Sequence, residues 1–534
     1  MTETFDYIVV GGGSSGCVMA NRLSENPTTR VLLIESGHKD GHPWIHIPST
    51  FFKVIEKGCD IVAYVGEPTP EVNNRPSIVI QGHVIGGGSS VNAMLYIRGH
   101  ANDYNQWAQL GNRGWAYDDV LPVFRDMESN AVVDDEFHAT KGELHVSKTR
   151  HQHPLCKAFV EAATQVGLPH NPDFNGAQQE GVGFYQTTTH DGKRWSAAQA
   201  FLRSAEKRSN LTIRTQTRVA RVTFDGTRAT GVMLEDGTVI AATAEVILCA
   251  GAIETPRLLQ LSGVGPSAHL QSHGIAVVSD LLGVGESFQD HLESTVQGET
   301  HAPISLLGQD KGLKAALHFL QYMTTKQGLM TSNVVECGGF ADVSGAGQPD
   351  IQFHVLPFMV GWADRAPIEK HGIAIGPCFL RPKSRGSVRL RSANPQDKAL
   401  FDAGSFKDSD DLEVLVRGVL KGIEILEAPA LAKLIKRRHL PEPGLEKDLD
   451  GLRHYIRQTA KTVFHPCGTA KMGPDSDRMA VVDGELRVRG VTGLRVADAS
   501  VMPTLVSGNT NAPTMMIAER CARFIKTNKN RIAA

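Results

Sequence analysis

No two of the eight cysteines stand as a C-x-x-C pair; they are scattered from position 17 to position 521 of a 534-residue chain. Such usage reads as reduced thiols in a cytosolic-type compartment and not as a disulfide framework. Charge of one sign is lacking too. Against 57 aspartates and glutamates stand 55 lysines and arginines, a net charge of −2 with the 21 histidines neutral. The chain as a whole therefore carries no electrostatic footprint for nucleic acid or an anionic membrane. No apolar run reaches transmembrane length, and an apolar strand begins within a few residues of Met1, where a secretory leader would lie. The expectation is a cytoplasmic protein without a transmembrane segment, able to touch the inner face of a membrane peripherally. An H-E-x-x-H metal motif, internal repeats and low-complexity tracts are also absent. The length suffices for more than one core.

What the chain does have is glycine in telling places. Residues 7–10, Tyr-Ile-Val-Val, read as a buried parallel strand, and after a glycine turn Val18, Met19, Ala20 and Leu23 recur at helical spacing. Gly11, Gly13 and Gly16 fit G-x-G-x-x-G in this strand–turn–helix setting. Gly11 permits the tight turn, Gly13 the approach of a pyrophosphate, and Gly16 close packing of helix on strand. Backbone N–H groups at the helix start, around Ser14 and Ser15, then face the phosphates. Residues 31–34 read as the second strand, ending in Glu35, a carboxylate placed to accept hydrogen bonds from an adenosine ribose. The same turn also fits G-x-S-x-G, with Ser14 as a hydrolase nucleophile. That elbow needs an oxyanion loop from an earlier strand, and almost nothing precedes Ser14.

Residues 36–76 are polar, rich in proline and glycine, and read as an extended excursion. A second glycine cluster, residues 86–88, lets backbone lie flat against a ligand. Residues 194–202 read as helix. Short strands are expected at 211–214, 220–224 and 231–235, with a hairpin turn at Asp236-Gly237. A strand at 244–250 followed by glycine and a helix to 265 repeats the nucleotide-fold pattern. From about 300 to 455, strand candidates at 351–356, 373–380 and 387–390 accompany an amphipathic helix at 412–426, suggesting a second domain built on a sheet. The last helix opens at 511–514, with Ile517, Cys521, Phe524 and Ile525 inward and Glu519, Arg520, Arg523 and Lys526 outward. The polar loop with His151, His153 and Cys156 reads as solvated surface and not as a metal site. The basic run 433–438 reads as a helix face and its following turn.

Four separated stretches, 11–35, 82–99, 251–265 and 464–469 with 503–519, together resemble the glucose–methanol–choline (GMC) oxidoreductase family. The likeness spans the chain and is nearest the choline-dehydrogenase-like branch, with bacterial alkanol, polyethylene glycol and L-sorbose dehydrogenases. It departs from the first family signature at His83, where another basic or small polar residue is usual. The resemblance implies an α/β fold: a Rossmann-like FAD-binding domain assembled from 1–155, 195–300 and 455–534, and an α+β substrate-binding domain on an antiparallel sheet from 156–194 and 301–454. It implies FAD, held around Gly86, Gly87 and Ser89 as well as the first turn. Asn92 and Ala93 would lie beside the flavin ring, and Val219 at the adenine. Asp498 and Ala499 would lie near the ribityl and pyrophosphate, with Thr510 and Asn511 at the pyrimidine end. Some relatives attach FAD through a histidine just before the asparagine; here that position is Val91, so non-covalent FAD is expected.

Alcohol oxidation removes a hydroxyl proton and a hydride. Flavin N5 accepts the hydride, and a side chain with a pKa near neutrality takes the proton. His465 matches the family's catalytic histidine and Asn509 its partner, a donor to the substrate oxygen. Val463 and Phe464 are expected against the flavin's reactive face, and His354 and Glu336 on the substrate side. The expected activity is oxidation of a primary alcohol to an aldehyde, as a dehydrogenase or as an oxidase. Oxygen, a quinone or another acceptor would take the electrons, and no nucleic acid or metal is involved. A serine hydrolase using Ser14 and a non-catalytic flavoprotein stand as the other two classes.

Overall fold

The structure is a computed structural model describing residues 2–361 and 368–533. Val31–Ile34 and the last four residues of Glu3–Val10 are apolar and buried on both faces, as strands inside a helix-covered parallel sheet must be. Five parallel strands form the centre of that sheet, in the order Leu211–Arg214, Val31–Ile34, Glu3–Val10, Val239–Leu248, Leu494–Val496. Arg228–Leu234 and Val219–Asp225 continue antiparallel from the first half of Val239–Leu248, through the Asp236-Gly237 turn. This is the Rossmann-like layer. Helices Ser14–Leu23 and Asn511–Ala533 pack on each other beside it. The ends of the chain are tied there: Ser14 Oγ donates to Asn511 Oδ1 at 2.8 Å, and Arg22 Nε donates to Glu519 Oε2 at 2.6 Å.

The second sheet is antiparallel along its whole path: Ile435–Leu440, Val296–Thr300, Gly372–Phe379, Ile351–Leu356, Cys337–Ala341, Gly181–Phe184. Leu292–Glu293 and Lys461–Thr462 add a short flank. Alternation along Ile351–Leu356 sets its two faces. Ile351, Phe353 and Val355 join a core with Leu412, Leu415 and Val419 of helix Ser409–Glu427. Gln352, His354 and Leu356 point the other way, toward the site described below.

Several local expectations are corrected. The excursion at 36–76 contains a helix, Phe51–Lys57, and the first strand of a hairpin, Ile61–Thr69 with Arg75–Gly82. The hairpin packs on Phe288 and Phe401, residues far away in sequence, so its own pattern is weak. Residues 193–194 form a short strand, and winding begins at Ala197, as a π-type segment Ala198–Leu202 that runs into helix Arg203–Ala205. The basic run is an edge strand, Ile435–Leu440, whose Lys436 and Arg437 pair with Glu299 of the neighbouring strand. Glu519 is buried between Arg22 and Arg523 instead of facing water. The loop at 151–156 is not solvated surface: His153 is buried and caps helix Pro154–Gln165.

Candidate active site

Both glycine turns open onto one cavity of about 560 Å³, lined from both sheets. The turns interlock. Gly86 N–H donates to Gly12 C=O at 2.8 Å, and a Cβ on Gly87, which sits at φ +50°, would meet Gly13 Cα at 2.7 Å. Together they present Gly11, Gly13, Ser14, Ser15 and Gly87 to the cavity, along with Val91, Asn92 and Ala93. Gly16, Gly86 and Ser89 lie behind that wall. A Cβ on Gly16 would strike Gly11 C=O at 1.8 Å, and Ser89 Oγ spends its bonds on Gly86 C=O and Ala197 N–H. Asn92 is oriented by Arg194, a buried residue that sequence reading had placed in a helix; its Nη1 donates to Asn92 Oδ1 at 2.8 Å.

At one end of the cavity Glu35 accepts Gly12 N–H and Gly37 N–H, one on each oxygen at 2.7 Å, while Val219 borders the same end. Burial pushes its carboxyl pKa up, against those donors. Oε1 also accepts the Ser36 hydroxyl at 3.4 Å, while Oε2 keeps a lone pair for a further donor such as a ribose hydroxyl. Asp498 and Ala499 also line the cavity. The oxygens of Asp498 take Gly251 N–H, Thr255 Oγ1–H, Ser500 N–H and Ser500 Oγ–H, so this carboxylate ties the C-terminal segment to helix Gly251–Leu261. Thr510 and Asn511 open the last helix onto the cavity. Two helix starts, bare glycine backbone and a ribose-type carboxylate fit a dinucleotide with a pyrophosphate, so these residues suit FAD. Among the described residues no cluster suited to a metal occurs.

The other end carries His465, Asn509, Val463, Phe464 and His354. His465 lies within a relay whose proton positions follow from its ends. His291 Nε2 bonds the Leu380 carbonyl at 3.1 Å and so carries the hydrogen. Burial pushes the His291 pKa down to about 3, so its Nδ1 is unprotonated and can only accept. The bond of 3.0 Å between His291 Nδ1 and His465 Nδ1 therefore uses the hydrogen of His465. His465 Nε2 is left as the lone pair, 3.3 Å from Asn509 Nδ2. Gln352 Nε2 donates to Asn509 Oδ1 at 3.0 Å and turns the Asn509 amino group toward the histidine. Burial, with His291 and His354 adding to it, holds the His465 pKa well below the ordinary imidazole value. The backbone that presents His465 is strained: Phe464 has φ +67°. Buried Asp290 pins this turn, accepting His465 N–H at 2.9 Å and the Thr462 hydroxyl.

Glu336 is not brought here. Its buried carboxylate accepts the Ser332 hydroxyl at 2.5 Å and His153 N–H at 2.6 Å, with His151 Nδ1 at 2.6 Å, outside the cavity. Glu293 lines the cavity instead, bonded to His354 Nδ1 at 2.8 Å and 3.6 Å from Lys461. Sequence reading missed both Glu293 and His291. They stand two residues apart on one short strand and its lead-in, where no spacing or motif sets them off. Ser14, the rival nucleophile, is bonded to Asn511 and not to an imidazole.

Family models described as GMC oxidoreductase match residues 5–293 and 382–518. An alcohol dehydrogenase (acceptor) from Pseudomonas putida is 42% identical over 98% of this chain and 95% of its own length. An oxygen-dependent choline dehydrogenase from Brucella suis is 40% identical over 97% and 95%. Among solved structures, pyridoxine 4-oxidase from Mesorbium loti superposes with a TM-score of 0.89 at 31% identity, covering 98% of this chain and 99% of that one.

Proposed function

From the premise that this chain belongs to the GMC oxidoreductase family, we propose that it oxidises a primary alcohol to the aldehyde with His465 as general base. The reaction class itself, FAD-dependent oxidation of an alcohol, is that of the family. Bound FAD supplies the hydride acceptor; we take it to be non-covalent, since Val91 offers no nucleophile on the cavity wall. Glu35 serves the ribose, the paired glycine turns the pyrophosphate, and Val219 the adenine end, with Asn92, Ala93, Thr510 and Asn511 around the ring system. The division into an FAD-binding part, 1–155, 195–300 and 455–534, and a substrate-binding part, 156–194 and 301–454, belongs to the same proposal. Strand Val296–Thr300 contributes to the substrate-side sheet.

The observation that carries the mechanism is the one-way hydrogen-bond relay that leaves Nε2 of His465 unprotonated, an acceptor facing the Asn509 amino group. The substrate hydroxyl binds beside this pair, within reach of both that nitrogen and the Asn509 amino group. Nε2 takes the hydroxyl proton as the carbon–hydrogen bond is broken, and Asn509 donates to the developing alkoxide. Phe464, 40% exposed, and Val463 shape the wall beside the reacting carbon. The acceptor that reoxidises the enzyme is oxygen, a quinone or another carrier, distinguished by reoxidation of the reduced enzyme with each. Peripheral contact with a membrane is part of this reading; no described helix is long and apolar enough to cross one.

The test is anaerobic stopped-flow. His465→Ala should keep FAD and slow flavin reduction by about 10²–10⁴-fold. Asn509→Ala should cost about 10- to 10³-fold, and the double variant less than the product, because both groups serve one oxygen. Near wild-type reduction by FAD-loaded His465→Ala would place the base elsewhere.

A further inference from the structure

One amphipathic helix faces the wrong way for a globular protein. Gly312–Thr325 turns Leu313, Leu317, Leu320 and Met323 into solvent, with Phe319 beside them; Leu313 is 76% exposed and Leu320 59%. Positions i, i+4, i+7 and i+10 share one helix face, so this is a continuous stripe. Tyr322, on the opposite face, is its one buried residue. Helix Ser409–Glu427 shows the ordinary arrangement, with its apolar stripe in a core. Large exposed apolar side chains do not gather in this way on any other described helix.

The flanks of the stripe are basic in a chain whose net charge is −2. Lys311 and Lys314 stand at the start and Lys326 at the end, its ammonium 4.3 Å from the centre of the Tyr322 ring; Asp310 is the sole acidic residue between 310 and 327. Arg150 Nη1 donates to Lys326 C=O at 3.2 Å, while its charge is paired with Asp191 at 3.2 Å. The helix also has a defined neighbour. It packs on the turn Leu329–Thr331, which packs on Pro48–Thr50, and the helix that follows, Phe51–Lys57, lines the cavity with Phe51, Phe52 and Ile55.

We propose that helix Gly312–Thr325 is a membrane-docking element. It lies in the plane of a bilayer surface bearing anionic lipid, with its apolar stripe among the acyl chains and Lys311 and Lys314 at the headgroups. The inference rests on the peripheral membrane contact proposed above and names the surface that makes it. Charge complementarity favours this occupant, and so does shape. A 14-residue helix is about 21 Å long, and its stripe about 10 Å wide, far from the ~800 Å² per partner of a standard protein interface. A bilayer needs no matching surface. Docked in this way, the protein places its Phe51–Phe52 side close to the lipid, where an apolar alcohol or a lipid-soluble acceptor resides.

The experiment is vesicle flotation of the full-length FAD-loaded protein. Wild type should float with vesicles of equal parts phosphatidylcholine and phosphatidylglycerol, and less with pure phosphatidylcholine or in high salt. Leu317→Glu combined with Leu320→Glu should weaken binding by about 100-fold or more while leaving alcohol-driven reduction of a soluble dye unchanged. Flotation retained by the double variant would overturn the assignment of this helix and leave membrane contact standing. Absence of flotation by wild type would overturn both. A wild-type dimer that does not float, and that the double variant splits, would overturn the proposal and assign the stripe to a second copy of the chain.

Discussion

His465 can act as a base only if its lone pair faces the substrate, and an imidazole alone has no preference between its two tautomers. His291 removes the choice by accepting the Nδ1 hydrogen. His291→Ala should therefore lower kcat/KM by roughly 10- to 10²-fold with FAD retained, acting through His465 and not on the substrate. His291→Asn, which keeps an acceptor, should recover part of the loss; a purely packing role predicts no such rescue. The pH profile is a second readout. A base works when neutral, so a pKa held below the ordinary ~6.5 carries activity into more acid solution. The acid limb of kcat/KM should fall below pH ~6.5, lower than the near-neutral value that a lone histidine in a sequence suggests. A limb at or above 6.5 would contradict the buried, histidine-flanked setting. Glu336 teaches the reverse lesson: its residue type suited a substrate pocket, and its contacts with Ser332 and the 151–153 loop commit it elsewhere.

Among the elements, the two glycine turns and the turn at 462–465 do most to shape the site. The glycine turns were legible because the reason for glycine is local: positive φ and the close approach of backbone are written in composition. Their interlocking was not, since it depends on residues some 75 positions apart. Gly87→Ala should push its new Cβ into Gly13 at an unfavourable φ. The expected outcome is loss of FAD on gel filtration and a lower melting temperature, at about 1–3 kcal/mol for the backbone strain alone. FAD retention equal to wild type would show that the turns yield without cost. The turn at 462–465 stores strain of similar size in Phe464, and Asp290 offsets it with bonds to His465 N–H and the Thr462 hydroxyl. Burial drives the Asp290 carboxyl up to about 7, a sign of how dry this support is. Helix Gly312–Thr325 has a helical period that any sequence reading can find, yet nothing in a period says which face meets the core.

At the scale of the whole molecule, buried histidines set the response to acid. Burial holds His153 down to about 4 and His291 to about 3, and His465 is lowered as well. In the unfolded chain each protonates near ~6.5. Below that value the unfolded state binds more protons, so their contribution, complete above ~6.5, is lost as pH falls toward the folded values. Asp290 opposes this: raised to about 7 when folded, it favours the folded state increasingly as pH drops from 7 toward ~3.9. Glu35 and Asp498, also raised by burial, and His138, raised to about 9 against burial by Asp173 and Glu128, side with Asp290. Six further histidines, His83, His100, His145, His269, His318 and His439, are lowered by burial, so the melting temperature should decline between pH 6.5 and 5, before surface carboxylates titrate. A flat or rising melting temperature across that interval would refute the sign. The sequence by itself determined the parts whose cause is local: the glycine turns, the buried central strands of the first sheet, Glu35 closing the second strand, and the short motifs carrying His465 and Asn509. Only the tertiary structure decided what lies between those parts. It placed His291 behind His465, Gln352 behind Asn509 and Glu293 in the cavity, and it turned one apolar stripe outward. Each of these depends on which distant strands pair and which face they present, and a hydrogen bond between side chains 174 residues apart leaves no trace in local pattern.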